Sequence, residues 1–114
     1  MVQLSRILLI DDDADDFLIL SEMLKRTEIG QYEFEWYNDV ALASQAIVEA
    51  RYDLYFVDYR LGVATTGLDL LKSGMEANLQ SPMILLTGFG DKEIDQKALE
   101  LGAADYLVKG QLTP

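Results

Sequence analysis

Four short apolar runs, each ending abruptly in a polar residue, constrain this chain more than any other feature. They are Ile7-Leu8-Leu9-Ile10 before Asp11, Leu54-Tyr55-Phe56-Val57 before Asp58, Met83-Ile84-Leu85-Leu86 before Thr87, and Tyr106-Leu107-Val108 before Lys109. The first three are short and do not alternate, so they read as strands covered on both faces, and the last as a short strand at a sheet edge. A fifth segment, Tyr32-Glu33-Phe34-Glu35-Trp36, alternates strictly. It reads as a strand with one wet face, at a sheet edge. Pro82 opens the third run, at a strand start where its missing N–H is tolerated.

Amphipathic stretches lie between the runs. The spacing predicts a helix over 14–26, with Phe17, Leu20, Ser21 and Leu24 on one face and Lys25 and Arg26 near its end, where cations suit the dipole. Asn38 or Asp39 caps a second helix over 40–50, with Ala43, Ile47 and Ala50 inward. A loop over 59–66 leads to a third helix over 67–75, with Leu68, Leu71 and Met75 on one face. Asp91 caps a weaker fourth helix reaching 101, with Ile94, Ala98 and Leu101 inward. Strands alternating with helices define an α/β fold: one domain over 1–114, a doubly wound five-stranded parallel sheet covered on both faces. Ligands of such sheets sit beyond the carboxyl ends of the strands.

The residues at that edge are therefore the candidate site. They are Asp11, Asp12 and Asp13 after the first strand, then Asp58, Thr87 and Lys109. Packed carboxylates repel one another and raise each other's pKa, which a divalent cation relieves. The chain has no His and no Cys, so zinc-type and thiolate sites, a Cys nucleophile and the usual neutral-pH base are excluded. The remaining ligands are hard oxygens, and Mg²⁺ is the natural ion. A carboxylate on such a metal can attack a phosphoryl group, with the metal, the Thr87 hydroxyl and Lys109 holding its oxygens.

Charge narrows the partners. There are 20 Asp and Glu against 9 Lys and Arg, a net charge of -11, which argues against nucleic acid and against an anionic membrane surface. Half the residues are hydrophobic, so the chain is no disordered acidic tail. No apolar run approaches the ~18 residues of a membrane span. The opening Met1-Val2-Gln3-Leu4-Ser5-Arg6 has no signal-peptide cleavage site, and a cytoplasmic domain is expected.

These four strand-end motifs, in this order and spacing, resemble the receiver domain of two-component response regulators, and the resemblance covers the whole chain. It implies a flavodoxin-like sheet of order 2-1-3-4-5 and a phosphorylation-dependent switch rather than an enzyme acting on other molecules. Asp58 would accept a phosphoryl group from a histidine kinase or phosphotransfer protein. Asp11, Asp12, Asp58 and the main-chain carbonyl of Arg60 would hold Mg²⁺. Thr87 and Lys109 would contact the phosphoryl oxygens, and Tyr106 would follow Thr87 as the domain switches. Output would pass to a downstream protein or to an output domain outside this sequence. The chain departs from the family at Gly110, where proline in a cis peptide is common, and at Gly88, where alanine is common. The loop over 59–66 is slightly long.

Two other readings compete. In a haloacid dehalogenase-type phosphohydrolase, Asp11 would be the nucleophile, Asp13 the acid/base, and Gly90-Asp91 with Asp95 a later motif. In a calcium loop, Asp11, Asp13, Asp15 and Glu22 would occupy ligand positions, but Asp16 stands where glycine is needed. Otherwise Asp15 and Asp16 read as solvated helix charge. Finally, Thr113 and Pro114 read as a helix entrance. A fifth helix would begin there, and without it a sheet face would be bare, inviting self-association.

Overall fold

The computed structural model describes residues 4–27, 30–62, 64–88 and 92–111. The chain runs β1 (Ser5–Ile10), α1 (Ala14–Lys25), β2 (Tyr32–Tyr37), α2 (Val40–Val48), β3 (Leu54–Asp58), α3 (Gly67–Glu76), β4 (Met83–Thr87), α4 (Lys92–Glu100) and β5 (Asp105–Val108). All neighbouring strands are parallel, in the order β2-β1-β3-β4-β5. The expected order and the edge position of β2 are borne out.

Alternate strand residues point to opposite faces, and each face has its own core. On one, Leu8, Ile10, Tyr55, Val57 and Leu85 pack against Ala43, Ala46 and Ile47 of α2, Leu70 and Leu71 of α3, and Ala98 of α4. On the other, Ile7, Leu9, Phe56 and Leu86 meet α1 alone among the described helices, through the buried Leu20 and Leu24 with Phe17 and Met23 beside them. Phe17 extends this layer over the edge strand, stacked on Phe34 at 4.9 Å and Trp36 at 5.8 Å. Leu54, Ile84 and Leu107 on the same face are half-buried. No fifth α-helix occurs among the described residues; Lys109–Gln111 form a 3₁₀ turn after β5. Thr113 and Pro114 lie outside the described residues, as does the expected cap Asp91.

Helix starts follow local chemistry. The Asp13 carboxylate accepts from the Asp15 N–H, and the Asp39 carboxylate from the Ala41 and Leu42 N–H groups. At α3 the Asp69 carboxylate reaches back to the Thr66 N–H at 2.9 Å.

Two helix faces differ from expectation. Ala50 is exposed beyond the end of α2 with φ 52°, and Ala46 takes the inward place. In α3 the buried set is Gly67, Leu70, Leu71 and Gly74, while Leu68 is half-buried and Met75 exposed. The glycines are the reason. The sheet approaches α3 so closely that a Cβ on Gly74 would lie 2.7 Å from the Met83 sulfur. A face built partly of glycine carries no hydrophobic signal.

Candidate functional site

The strand ends converge. Register pairs Ile10 with Val57, Asp58 with Leu86, and Thr87 with Val108, so the residues after β1 and at the ends of β3, β4 and β5 share one edge. A cleft of about 360 Å³ opens there, lined by Asp12, Asp58, Arg60, Thr87 and Lys109 among others. Asp11 lies beneath it, fully buried, and Asp58 is 4% exposed. Thr87 is also buried, its hydroxyl 3.5 Å from the Leu107 carbonyl oxygen.

Asp11 is fixed from both sides. The Trp36 indole N–H donates to its carbonyl at 2.7 Å, and its Oδ1 accepts from the Asp13 N–H at 2.9 Å. Its Oδ2 is buried and accepts no hydrogen bond. Burial, the neighbouring Asp16 carboxylate and the Asp58 charge push the Asp11 carboxyl up to about 8, against the opposing Asp13 N–H and Lys109. Asp58 is also raised by burial, with Lys109 pulling the other way.

Lys109 is the counter-charge. Its Nζ lies 3.0 Å from Asp58 Oδ1 and 3.3 Å from Asp11 Oδ2. It also donates to Asp16 Oδ2. These acceptors hold its pKa above the ordinary lysine value despite partial burial. The oxygens of Asp11, Asp16 and Asp58 lie within 4.8 Å of one another. Together with the buried Asp11 Oδ2, which accepts no hydrogen bond, this hard-oxygen set fits a divalent cation such as Mg²⁺.

Asp11, Asp58, Thr87 and Lys109 thus meet as expected, with Arg60 on the cleft wall. Asp12 is exposed on the rim and is not one of the three aspartates whose oxygens converge. Tyr106 is half-buried and lines a separate recess with Asp95 and Leu99. Asp16, read as solvated charge, is instead half-buried in the cluster. Its one signal in the sequence is its place three residues past the Asp13 cap, in the first turn of a helix that starts at the sheet edge. Gly67 was missed as well. A Cβ there would stand 2.4 Å from the Asp58 carbonyl oxygen, so only glycine lets α3 begin against the end of β3. The Lys109–Gly110 peptide is trans, as are all described peptides, so the family's cis bond is not kept.

The competing readings fail on this geometry. Residues 14–25 form α1, so the stretch from Asp11 to Glu22 is not a calcium loop, and Glu22 is exposed on the helix. The dehalogenase reading needs Asp95 beside Asp11, but Asp95 lines the Tyr106 recess rather than the cleft. Gly90 and Asp91 of that motif lie outside the described residues.

Comparison with known proteins agrees. The sequence matches the response regulator receiver domain over residues 7–112. It is 36% identical over 106 residues to the response regulator protein PmrA of Pseudomonas aeruginosa, covering 91% of this chain and 45% of that protein. The chain therefore spans under half the length of that relative. Its fold matches the signal receiver domain of a putative Luxo repressor protein from Vibrio parahaemolyticus with a TM-score of 0.81 at 21% identity, covering 94% of this chain and 79% of that one. It also matches the Mn²⁺-bound form of the response regulator Rcp1, with a TM-score of 0.77 at 25% identity, covering 94% and 82%. The chain belongs to the response regulator receiver domain family, whose members are signalling switches phosphorylated on an aspartate.

Proposed function

We propose that Asp58 is the phosphoacceptor, and that the partner supplying the group is a phosphohistidine on a histidine kinase or phosphotransfer protein. The observation that carries this is the single buried carboxylate at the end of β3, facing the cleft with Lys109 3.0 Å away. An Asp58 oxygen attacks the phosphorus; an O–P bond forms, the P–N bond breaks, and the electron pair leaves on the imidazole nitrogen. Lys109 and the Thr87 hydroxyl donate to the phosphoryl oxygens. Asp11, Asp12, Asp58 and the Arg60 carbonyl would hold Mg²⁺, which neutralises the carboxylates and polarises the phosphoryl group when bound. Asp11 Oδ2, buried without a hydrogen bond, supports that ligand set. Hydrolysis of the acyl phosphate on the same site returns the domain to rest, so the domain catalyses only its own turnover.

Thr87 sits between cleft and β5, next to the strand that carries Tyr106. Drawing its hydroxyl to the phosphoryl group would remove it from the Leu107 carbonyl and let Tyr106 repack. The signal would then leave through a downstream protein or an output domain outside this sequence. Among the described residues no helix is long and apolar enough to cross a membrane, which suits a cytoplasmic switch. The half-buried Leu54, Ile84 and Leu107 are where a second copy would pack. Concentration-dependent sedimentation at micromolar protein would report that association, and a monomer throughout would dismiss it.

The assignment is tested with Mg²⁺ and a small phosphodonor, mapping the label by mass spectrometry. The label is expected on Asp58, and Asp58→Asn should take none. Thr87→Ala should still be labelled but lose the change in amide exchange along β5. Label on Asp11 would reverse the assignment.

A further inference from the structure

The position of Asp16 has a consequence for the charge of the site. It lies on the far side of Lys109 from the cleft, in a small recess with Ile19, Leu20 and Leu86. Its side chain is 15% exposed. It is hydrogen-bonded to Lys109, whose ammonium also faces Asp58 and Asp11. A lysine has three N–H donors, and three carboxylates surround this one.

We propose that Asp16 is a positioning residue that sets the balance of the site between cation and anion: it draws Lys109 back towards α1 and adds a third carboxylate beside Asp11 and Asp58. The inference rests on the phosphoacceptor reading above and adds a residue to it.

The charges support the assignment. With Asp12 of the proposed ligand set, four carboxylates against one ammonium leave three negative charges, of which one divalent cation cancels two. A phosphoryl group, bringing about -1.5 to -2, then arrives at a site that is still negative. Without Asp16 the same site with its cation would be neutral. Lys109 would also have a donor free to turn into the cleft. Asp16 therefore favours the metal and disfavours the phosphoryl anion. Asp11 Oδ2, buried without a hydrogen bond and with only the shared Lys109 ammonium 3.3 Å away, is a further sign that the cluster is built around a cation.

Trp36 offers a readout separate from phosphotransfer, since its indole N–H holds the Asp11 carbonyl. Mg²⁺ is titrated against Trp36 fluorescence in the parent, Asp16→Asn and Asp15→Asn. Asp15 is the exposed neighbour, and its variant makes the same change in net charge. Asp16→Asn should bind Mg²⁺ about tenfold more weakly, the effect of one charge ~4 Å away in a partly hydrated site. At saturating Mg²⁺ it should bind beryllofluoride, a phosphoryl mimic, several-fold more tightly. Asp15→Asn should match the parent in both. If Asp16→Asn behaves like Asp15→Asn, or moves both affinities in one direction, the proposal is overturned. Mg²⁺ binding is scored without any phosphodonor, so a failure of Asp58 to take label would defeat only the phosphoacceptor reading.

Discussion

At the scale of single residues, the site is held by one cation among three acids. Only Lys109 forms an ion pair with Asp11, Asp16 or Asp58 among the described residues. Removing one partner from buried charges costs more than the pair contributes, because the remaining charge stays desolvated. Lys109→Ala should therefore destabilise the metal-free protein by about 3 kcal/mol in urea unfolding. Mg²⁺ should offset much of that loss, since it would neutralise Asp11 and Asp58, two of those three carboxylates. A variant as stable as the parent in metal-free buffer would show that Lys109 holds nothing in place at rest. The Tyr52 hydroxyl, by contrast, bonds Glu35 and Tyr37 beneath the Arg6 guanidinium, away from the cleft. That network joins β1, β2 and the turn before β3, and belongs to the frame rather than the site.

At the scale of elements, the decisive contact is α3 starting against β3. The Gly67 N–H donates to the Tyr59 carbonyl at 2.8 Å, and its Cα sits against the Asp58 carbonyl. Gly67→Ala should cost about 2 kcal/mol, as overpacking against backbone does, and should slow labelling of Asp58 by displacing it. Gly74→Ala in the same helix crowds the flexible Met83 side chain, touches Leu79 and Ile47 at ordinary contact distance and gains helix propensity, so it should cost less. Equal costs measured by urea unfolding would show that the Asp58 contact is not tight. These glycines also show where sequence reading stops. The central strands β1, β3 and β4 were legible because each buries both faces and says so with an unbroken apolar run, and β2 because it alternates at the edge. Asp11, Asp58, Thr87 and Lys109 were legible because each follows such a run. The inward face of α3 was not, since Gly67 and Gly74 bury by close approach rather than by hydrophobicity. Asp16 was not, because an aspartate in a first helical turn has an ordinary explanation in the dipole. Only the three-dimensional meeting of α1 with the end of β5 reveals its partner.

At the scale of the whole molecule, the buried acids tie stability to pH and metal together. Asp11 titrates near 3.9 when unfolded and at about 8 when folded, and Asp58 is raised too. A carboxyl with a raised folded pKa makes its full contribution to stability below the unfolded value and loses it as pH rises through the folded value. The metal-free melting temperature should therefore fall from about pH 5 to pH 8 and then level off. The fall should reach several degrees, since about 1 kcal/mol moves the midpoint of a domain this size by ~4 °C. The net charge of -11 pushes in the same direction through general repulsion, so the two causes must be separated. Salt does so, because it screens exposed charges far more than buried ones. In about 0.5 M salt the surface part should fade while the Asp11 part remains. Asp11→Asn should flatten what is left. Mg²⁺ would bind only the ionised cluster of the folded state, so the stabilisation it adds should grow across the same pH window. Calorimetry at a series of pH values, with and without Mg²⁺, reads all of this. A metal-free melting temperature that rises with pH in high salt, or an Mg²⁺ effect independent of pH, would mean that Asp11 is ionised at rest and that Lys109 alone balances the cluster.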